Sequence, residues 1–293
     1  VTQKVVNGAN LARRSWRALR ENRQLLVFPL LAGMGLLAAS ALFLATSLGL
    51  GVFTGSPDGS DQGRWLSGLV LLFVFYLVAY TIVVFANTAL VGTALRLAGG
   101  ETATVRDGLS IAGARLGRIV LYALISATIG VLASSLARSG RESGNVVVRI
   151  VTAIVRSLVQ GAWSLAVFFA LPVMVAEDLP VIASLKRSLG IFRATWGEDF
   201  AGRTTIGGVG CLAYLAILVL TGIVAGIGLS MGLQVLVLAA IGGGCALIAI
   251  VALVVGAVNG VFQASLYRYA TTGDAGPFIR SEDAAAAFAE DGR

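Results

Sequence analysis

Few residues in this sequence can do chemistry, and their spacing excludes most of it. Histidine is absent, so Ser–His and Cys–His nucleophilic sites and histidine-held metals have no basis. The two cysteines, Cys211 and Cys245, each lie inside a long apolar run, where a cysteine behaves as a small hydrophobe. Glu177 and Asp178 are adjacent, and neighbours on a helix point in different directions. They read as charge at the start of a helix opened by Pro180, not as a cation site. No catalytic residue, cofactor or metal is expected, and the chain is not expected to be an enzyme.

Two further sets of polar residues lie in apolar surroundings. Asn87, Gln160, Asn259 and Gln263 are of the kind that hydrogen-bond between membrane helices, each for about 1 kcal/mol or less, or that contact a substrate within the membrane. Arg149 and Arg156 are seven apart and share a helix face. A charge at the bilayer centre costs at least about 2.5–3.5 kcal/mol. The pair therefore marks either an outer amphipathic stretch ahead of a shorter span or a site for an anionic substrate or lipid headgroup.

The elements that must position these residues follow from composition. Of 293 residues, 57% are hydrophobic and 13% charged, against roughly 25% charged in a soluble domain. With a mean hydropathy of +0.88, the chain reads as an all-α polytopic integral membrane protein. A span needs about 20 apolar residues, and six fit, at about 27–50, 66–95, 119–137, 158–175, 206–229 and 235–262. The last two are separated by geometry. Arg203 and Arg268 bracket 64 residues without a formal charge. A single helix of that length would reach about 96 Å, roughly three core thicknesses, so the chain folds back near Ser230-Met231-Gly232-Leu233-Gln234. Residues 1–270 form one transmembrane domain in this reading, and 271–293 a solvated tail.

The net charge of +7 belongs to topology and not to nucleic acid. Six spans with the N-terminus inside put 17 of the 22 basic residues on the inner side, as the positive-inside rule requires. Arg64, Arg138, Arg141, Arg149 and Arg156 remain outside. The expected location is the cytoplasmic (inner) membrane, with both termini cytoplasmic.

Ahead of spans one, three and five, apolar residues step by four and three between basic ones: Val5, Ala9, Ala12, Trp16 and Leu19; Val105, Leu109, Ala112 and Leu116; Val181, Leu185, Leu189, Phe192 and Trp196. Such spacing predicts three basic amphipathic interfacial helices, each feeding an out-and-back hairpin, a threefold helix-plus-hairpin repeat. Trp16, Trp196, Lys186, Arg187 and Arg193 are the expected lipid contacts. Gly222/Gly226, Gly228/Gly232 and Gly256/Gly260 are spaced for close helix packing, and Gly242-Gly243-Gly244 suggests a break within a span.

Two stretches carry a resemblance. Asn7-Gly8 and Arg14-Ser15-Trp16-Arg17-Ala18-Leu19-Arg20-Glu21-Asn22, followed by Leu25-Leu26-Val27-Phe28-Pro29-Leu30-Leu31, resemble a bacterial and archaeal family of uncharacterised multi-pass membrane proteins. Leu171-Pro172-Val173-Met174-Val175-Ala176-Glu177-Asp178 and Ala183-Ser184-Leu185-Lys186-Arg187-Ser188 resemble the same group. The chain is also similar to the membrane domain that accompanies some glycerophosphodiester phosphodiesterases. Their soluble catalytic domain is missing here, so no catalytic residue carries over.

The function expected from these features is a membrane scaffold or accessory subunit contacting lipid and a protein partner or a second copy. A transporter or channel for a small, anionic or lipid-like substrate is the first alternative, and a lipid-modifying membrane enzyme the second.

Overall fold

The computed structural model describes residues 22–49, 62–142, 146–196 and 207–278, and these are entirely helical apart from turns and connections. A 3₁₀ turn, Arg23–Leu26, leads into α1 (Val27–Gly49). Then come α2 (Gln62–Ala98), α3 (Val105–Gly113), α4 (Leu116–Glu142), α5 (Val146–Phe168), α6 (Ala170–Ala176), α7 (Val181–Trp196), α8 (Gly207–Ser230) and α9 (Gln234–Thr272). Five of these segments are long and apolar enough to cross a membrane, or six if α3 and α4, bent by 69° at their junction, count as one.

Three helix pairs stand on a common base: α1 with α2, α4 with α5, and α8 with α9. The helix α2 is the hub, packing on α1, α3, α4, α6 and α9. The core gathers where the pairs are rooted. It contains Leu25 and Phe28 before and within α1, Leu90 and Val91 late in α2, Ile119 early in α4, Phe169 and Met174 around α6, and Val261 and Leu266 late in α9. Away from the base the same helices show large apolar side chains outward, such as Leu37, Phe73, Leu158, Leu220 and Leu238. Soluble domains rarely expose so many large apolar side chains.

Short local signals set the boundaries. Thr104 and Asp107 form a capping box at the start of α3, each side chain reaching the other's backbone N–H. Gly232, at φ +67°, ends α8. The Leu233 and Gly232 N–H groups return to the Gly228 and Leu229 carbonyls at 2.8 and 3.2 Å, a Schellman closure.

Several sequence expectations need correction. The stretch ahead of the fourth span and the span itself are one helix, α5, which begins at Val146 and carries Arg149 and Arg156 on a single stripe. It also has a break at Phe169. Pro172 has no N–H for the Phe168 carbonyl and crowds it. The Ser188 hydroxyl of α7 enters the gap, accepting from the Phe169 N–H at 3.0 Å and donating to the Leu165 carbonyl at 3.2 Å. A side chain inserted into the hydrogen-bond ladder is a recognised cause of helix distortion.

α9 runs unbroken through Gly242-Gly243-Gly244. Gly244 is small for a packing reason: a Cβ there would collide with Thr221 of α8. Of the glycine pairs, Gly228 faces Val237 and Gly260 faces Leu90, whereas Gly222, Gly226 and Gly256 face open space. The segment expected to be solvated from residue 271 is in part folded back. Thr271 and Thr272 still belong to α9, and Ala275 and Phe278 are buried. Gly276, at φ +75°, lies so close to the end of α2 that a Cβ would sit 3.1 Å from both the Ala98 carbonyl and its Cβ.

The apolar stripe of α7 also meets a different surface from the one expected. Val181, Leu185 and Phe192 are buried against the protein, together with Ser184, Ser188 and Ile191. The neighbouring helices cover the stripe before lipid can reach it. In the second stripe, Val105 and Leu109 pack on the core and Ala112 is buried, but the helix ends at Gly113 and Leu116 is exposed. The first stripe, Val5 to Leu19, lies outside the described residues.

Candidate functional site: an ionic hub at the base

The turn between α6 and α7 holds the two adjacent acids, and the fold brings arginines to both. Glu177 caps the C-terminus of α6, and Asp178 follows at φ +50°, a left-handed conformation that costs a non-glycine residue roughly 1–2 kcal/mol. A carboxylate at a helix C-terminus is also electrostatically unfavourable. The arginines at the start of α4 offset both costs.

Arg115 Nη2 lies 2.9 Å and Arg118 Nη1 2.8 Å from Asp178 Oδ1. Arg118 also donates to the Asp178 carbonyl at 3.0 Å. Arg115 reaches further. Its Nε and Nη2 donate to the Met174 and Val175 carbonyls at 3.3 Å each, and its Nη1 to the Ile111 carbonyl at 3.1 Å. One guanidinium thus closes the last turns of α3 and α6 and bonds a carboxylate, using the planar fork of donors that distinguishes arginine from lysine. The bend between α3 and α4 has its local cause here. The Arg115 N–H bonds Ala112 instead of Ile111, and the side chain takes the freed Ile111 carbonyl.

Glu177 faces the other way. Arg187 Nε of α7 donates to its Oε1 and Oε2 at 3.1 and 3.2 Å, and the Tyr267 hydroxyl of α9 donates to Oε1 at 3.0 Å. The Tyr267 ring stands 6.3 Å from Phe169, which meets Phe168 edge-on at 4.7 Å, and Phe192 joins the group. An ionic layer therefore sits directly on an aromatic one, and Tyr267 belongs to both. Nearby, Arg268 pairs with Asp274 at 3.0 Å.

The arrangement is suited to holding elements together. The Arg118 hydrogen bond, followed by the charges of Arg118 and Arg115, keeps the Asp178 carboxyl below its ordinary range against the opposing effect of burial. Asp274 is lowered as well, first by the Gly276 N–H and then by Arg268. Both acids of the turn are bonded to arginines, which do not give up protons. Among the described residues no three metal-ligating side chains come together.

The residues singled out from sequence are dispersed relative to this hub. Arg187 joins it; Lys186 and Arg193 are exposed on α7. Arg149 and Arg156 are exposed on α5. Asn87 on α2 and Gln263 on α9 are half-buried, while Gln160 on α5 and Asn259 on α9 are exposed. Trp16 lies outside the described residues, as does the side chain of Trp196, whose backbone ends α7. Cys245 is an exposed free thiol on α9.

Glu177 and Asp178 lie ahead of the first turn of α7, which holds no acid, and their partners are side chains 10 to 90 positions away. Sequence reading missed Arg115, Arg118, Tyr267 and Ser188 as contributors. One signal was available: Glu177 and Asp178 are the only acids between Glu142 and Glu198, next to a proline and just beyond an apolar run.

The chain belongs to a family of unknown function, DUF6159, which matches residues 66–278. The match includes the 171–178 and 183–188 blocks and leaves the 7–31 block outside. No curated protein and no solved structure matches the chain significantly. The likeness to the membrane domain of glycerophosphodiester phosphodiesterases is without support and is withdrawn.

Proposed function

We propose that this DUF6159 chain is a non-catalytic membrane scaffold or accessory subunit. Its three hairpins cross the cytoplasmic membrane, with the base and both termini on the cytoplasmic side. The supporting observation is the division of surfaces. Away from the base the hairpins show mostly large apolar side chains outward, the Arg149, Arg156 and Gln160 stripe of one helix excepted, whereas the base gathers Arg96, Arg106, Arg115, Arg118, Lys186, Arg187, Arg193 and Arg268. Lipid is the solvent that suits the first surface, and the positive-inside rule assigns the second to the cytoplasm.

In lipid, burial of apolar groups supplies little drive for helices to associate. The ionic and aromatic layers at the base then do what a water-driven core does elsewhere. The exposed cations Arg96, Arg106, Lys186 and Arg193 are free to meet anionic headgroups, each for about 1 kcal/mol, and an acidic partner protein or a second copy. The test is in-cell photocrosslinking from positions 186 and 193. A single reproducible protein adduct, lost when Arg96 and Arg106 become glutamine, supports the reading. Lipid adducts alone would remove its partner half.

A transporter reading draws on the break at Phe169, since discontinuous helices mark many substrate sites. The Ser188 hydroxyl, however, occupies the Phe169 N–H and the Leu165 carbonyl freed there.

A further inference from the structure

The helix α5 carries a stripe that the scaffold role does not use. Projected at 100° per residue, Thr152, Arg156, Arg149 and Gln160 fall within about 80° of one another, and the rest of that half of the helix is largely Val, Ile and Leu. Arg149, Arg156 and Gln160 are exposed, and Thr152 is half-buried. The helix packs on α4. Its half-buried positions Thr152, Val159 and Trp163 project beside the arginines, so the stripe borders the α4–α5 groove.

An arginine keeps its charge. The segment Val146–Ala176 contains no acid, and neither Arg149 nor Arg156 has an ion pair among the described residues. The sole acid of the α4–α5 pair is Glu142, the last residue of α4. Four of the five basic residues on the far side, Arg138, Arg141, Arg149 and Arg156, belong to this one hairpin. That concentration runs against the positive-inside rule and calls for an anion.

Depth identifies the kind of anion. The 31 residues of Val146–Ala176 extend about 46 Å at 1.5 Å each, against a hydrocarbon core of about 30 Å. The Phe169–Ala176 end is fixed in the base, so the 23 residues Val146–Phe168, about 34 Å, cross the core and their small excess lies at the Val146 end. Arg149 and Arg156 sit about 5 and 15 Å along the helix from Val146. Side chains on a helix lean toward its N-terminus, so both guanidinium groups reach toward the far-side headgroup layer. Val146 and Ile150, exposed on the flank of the arginines away from the groove, offer a path for an acyl chain.

We infer that the Arg149–Arg156 stripe on α5 is a binding site for one anionic phospholipid of the outer leaflet, its phosphate oxygens taken by the two guanidinium groups. Planar guanidinium and phosphate match as bidentate partners. This rests on the membrane-spanning reading above.

The test begins with alkaline carbonate extraction of native membranes, followed by native mass spectrometry of the full chain from nanodiscs of equal phosphatidylglycerol and phosphatidylcholine. A carbonate-resistant protein should keep phosphatidylglycerol in preference to phosphatidylcholine. R149Q/R156Q should lower that preference about tenfold or more, two basic contributions being removed. R149K/R156K should retain part of it, and E142Q should leave it unchanged. Millimolar inorganic phosphate should not displace the lipid. Release of the chain by carbonate would overturn the membrane reading and this site with it. Resistance to carbonate with equal lipid retention in wild type and R149Q/R156Q would overturn the site alone, as would displacement by inorganic phosphate.

Discussion

Tyr267 donates its phenolic hydrogen to Glu177 across 90 positions of sequence, at 3.0 Å, and so ties the end of α9 to the turn between α6 and α7. Removing the hydroxyl with Tyr267→Phe leaves the ring among Phe169 and its neighbours. The expected loss is about 1.5–3 kcal/mol of unfolding free energy, the range for a hydrogen bond to a charged acceptor. In a double-mutant cycle Tyr267→Phe and Glu177→Gln should couple by about 1 kcal/mol. Additive effects in detergent unfolding curves would mean that the bond holds nothing.

Asp178 gives the pH dependence. A carboxyl whose value is lowered in the folded state stabilises above its ordinary range and loses that contribution as pH falls through the lowered value. The Arg118 hydrogen bond and the two arginine charges set this direction against an ordinary value of 3.8. Asp178→Asn, which tolerates the left-handed backbone nearly as well, should melt below wild type at neutral pH. The gap should persist down to about pH 4 and close only below it. A gap that closed between pH 8 and 6 would point to a different group.

Much of this architecture is legible in the sequence, because hydropathy and length are local properties. The return near Ser230, the starts of α1, α8 and α9 and the helical character throughout follow from apolar runs and the absence of charge. The hub does not. Whether Arg115 contacts lipid, water or Asp178 depends on how α4 meets the α6–α7 turn, and no periodicity encodes a contact over 60 positions. The same limit applies to the stripe of α7. Its spacing says that one side is buried and leaves open whether lipid or protein covers it.

Ser188 supports the break at Phe169, so Ser188→Ala should cost about 1–3 kcal/mol, the range for leaving buried backbone groups without a partner. Adding Pro172→Ala to that variant should recover part of the loss, because the ladder gains back its missing donor. Amide exchange at Phe169 in detergent reports both effects. Unchanged protection in Ser188→Ala would show that another group satisfies the gap.

Gly260 and Gly256 are one turn apart on α9 and should respond in opposite ways. A Cβ at 260 would collide with the Leu90 side chain, whereas at 256 it meets nothing within 4 Å. Gly260→Ala is expected to destabilise by about 1–3 kcal/mol. Gly256→Ala should be neutral or stabilising by up to about 1 kcal/mol through helix propensity. Equal melting temperatures for the two variants would contradict the α2–α9 contact.

The central claim is that three hairpins leave a cytoplasmic base, cross the bilayer and return. Single cysteines at Ser60, Ser230, Glu101 and Ser281, in a chain lacking Cys211 and Cys245, test it through labelling of intact cells with an impermeant thiol reagent. The first two positions should label directly, and Glu101 and Ser281 only after the membrane is permeabilised. Equal labelling of all four in intact cells, or the reverse pattern, would contradict the claim.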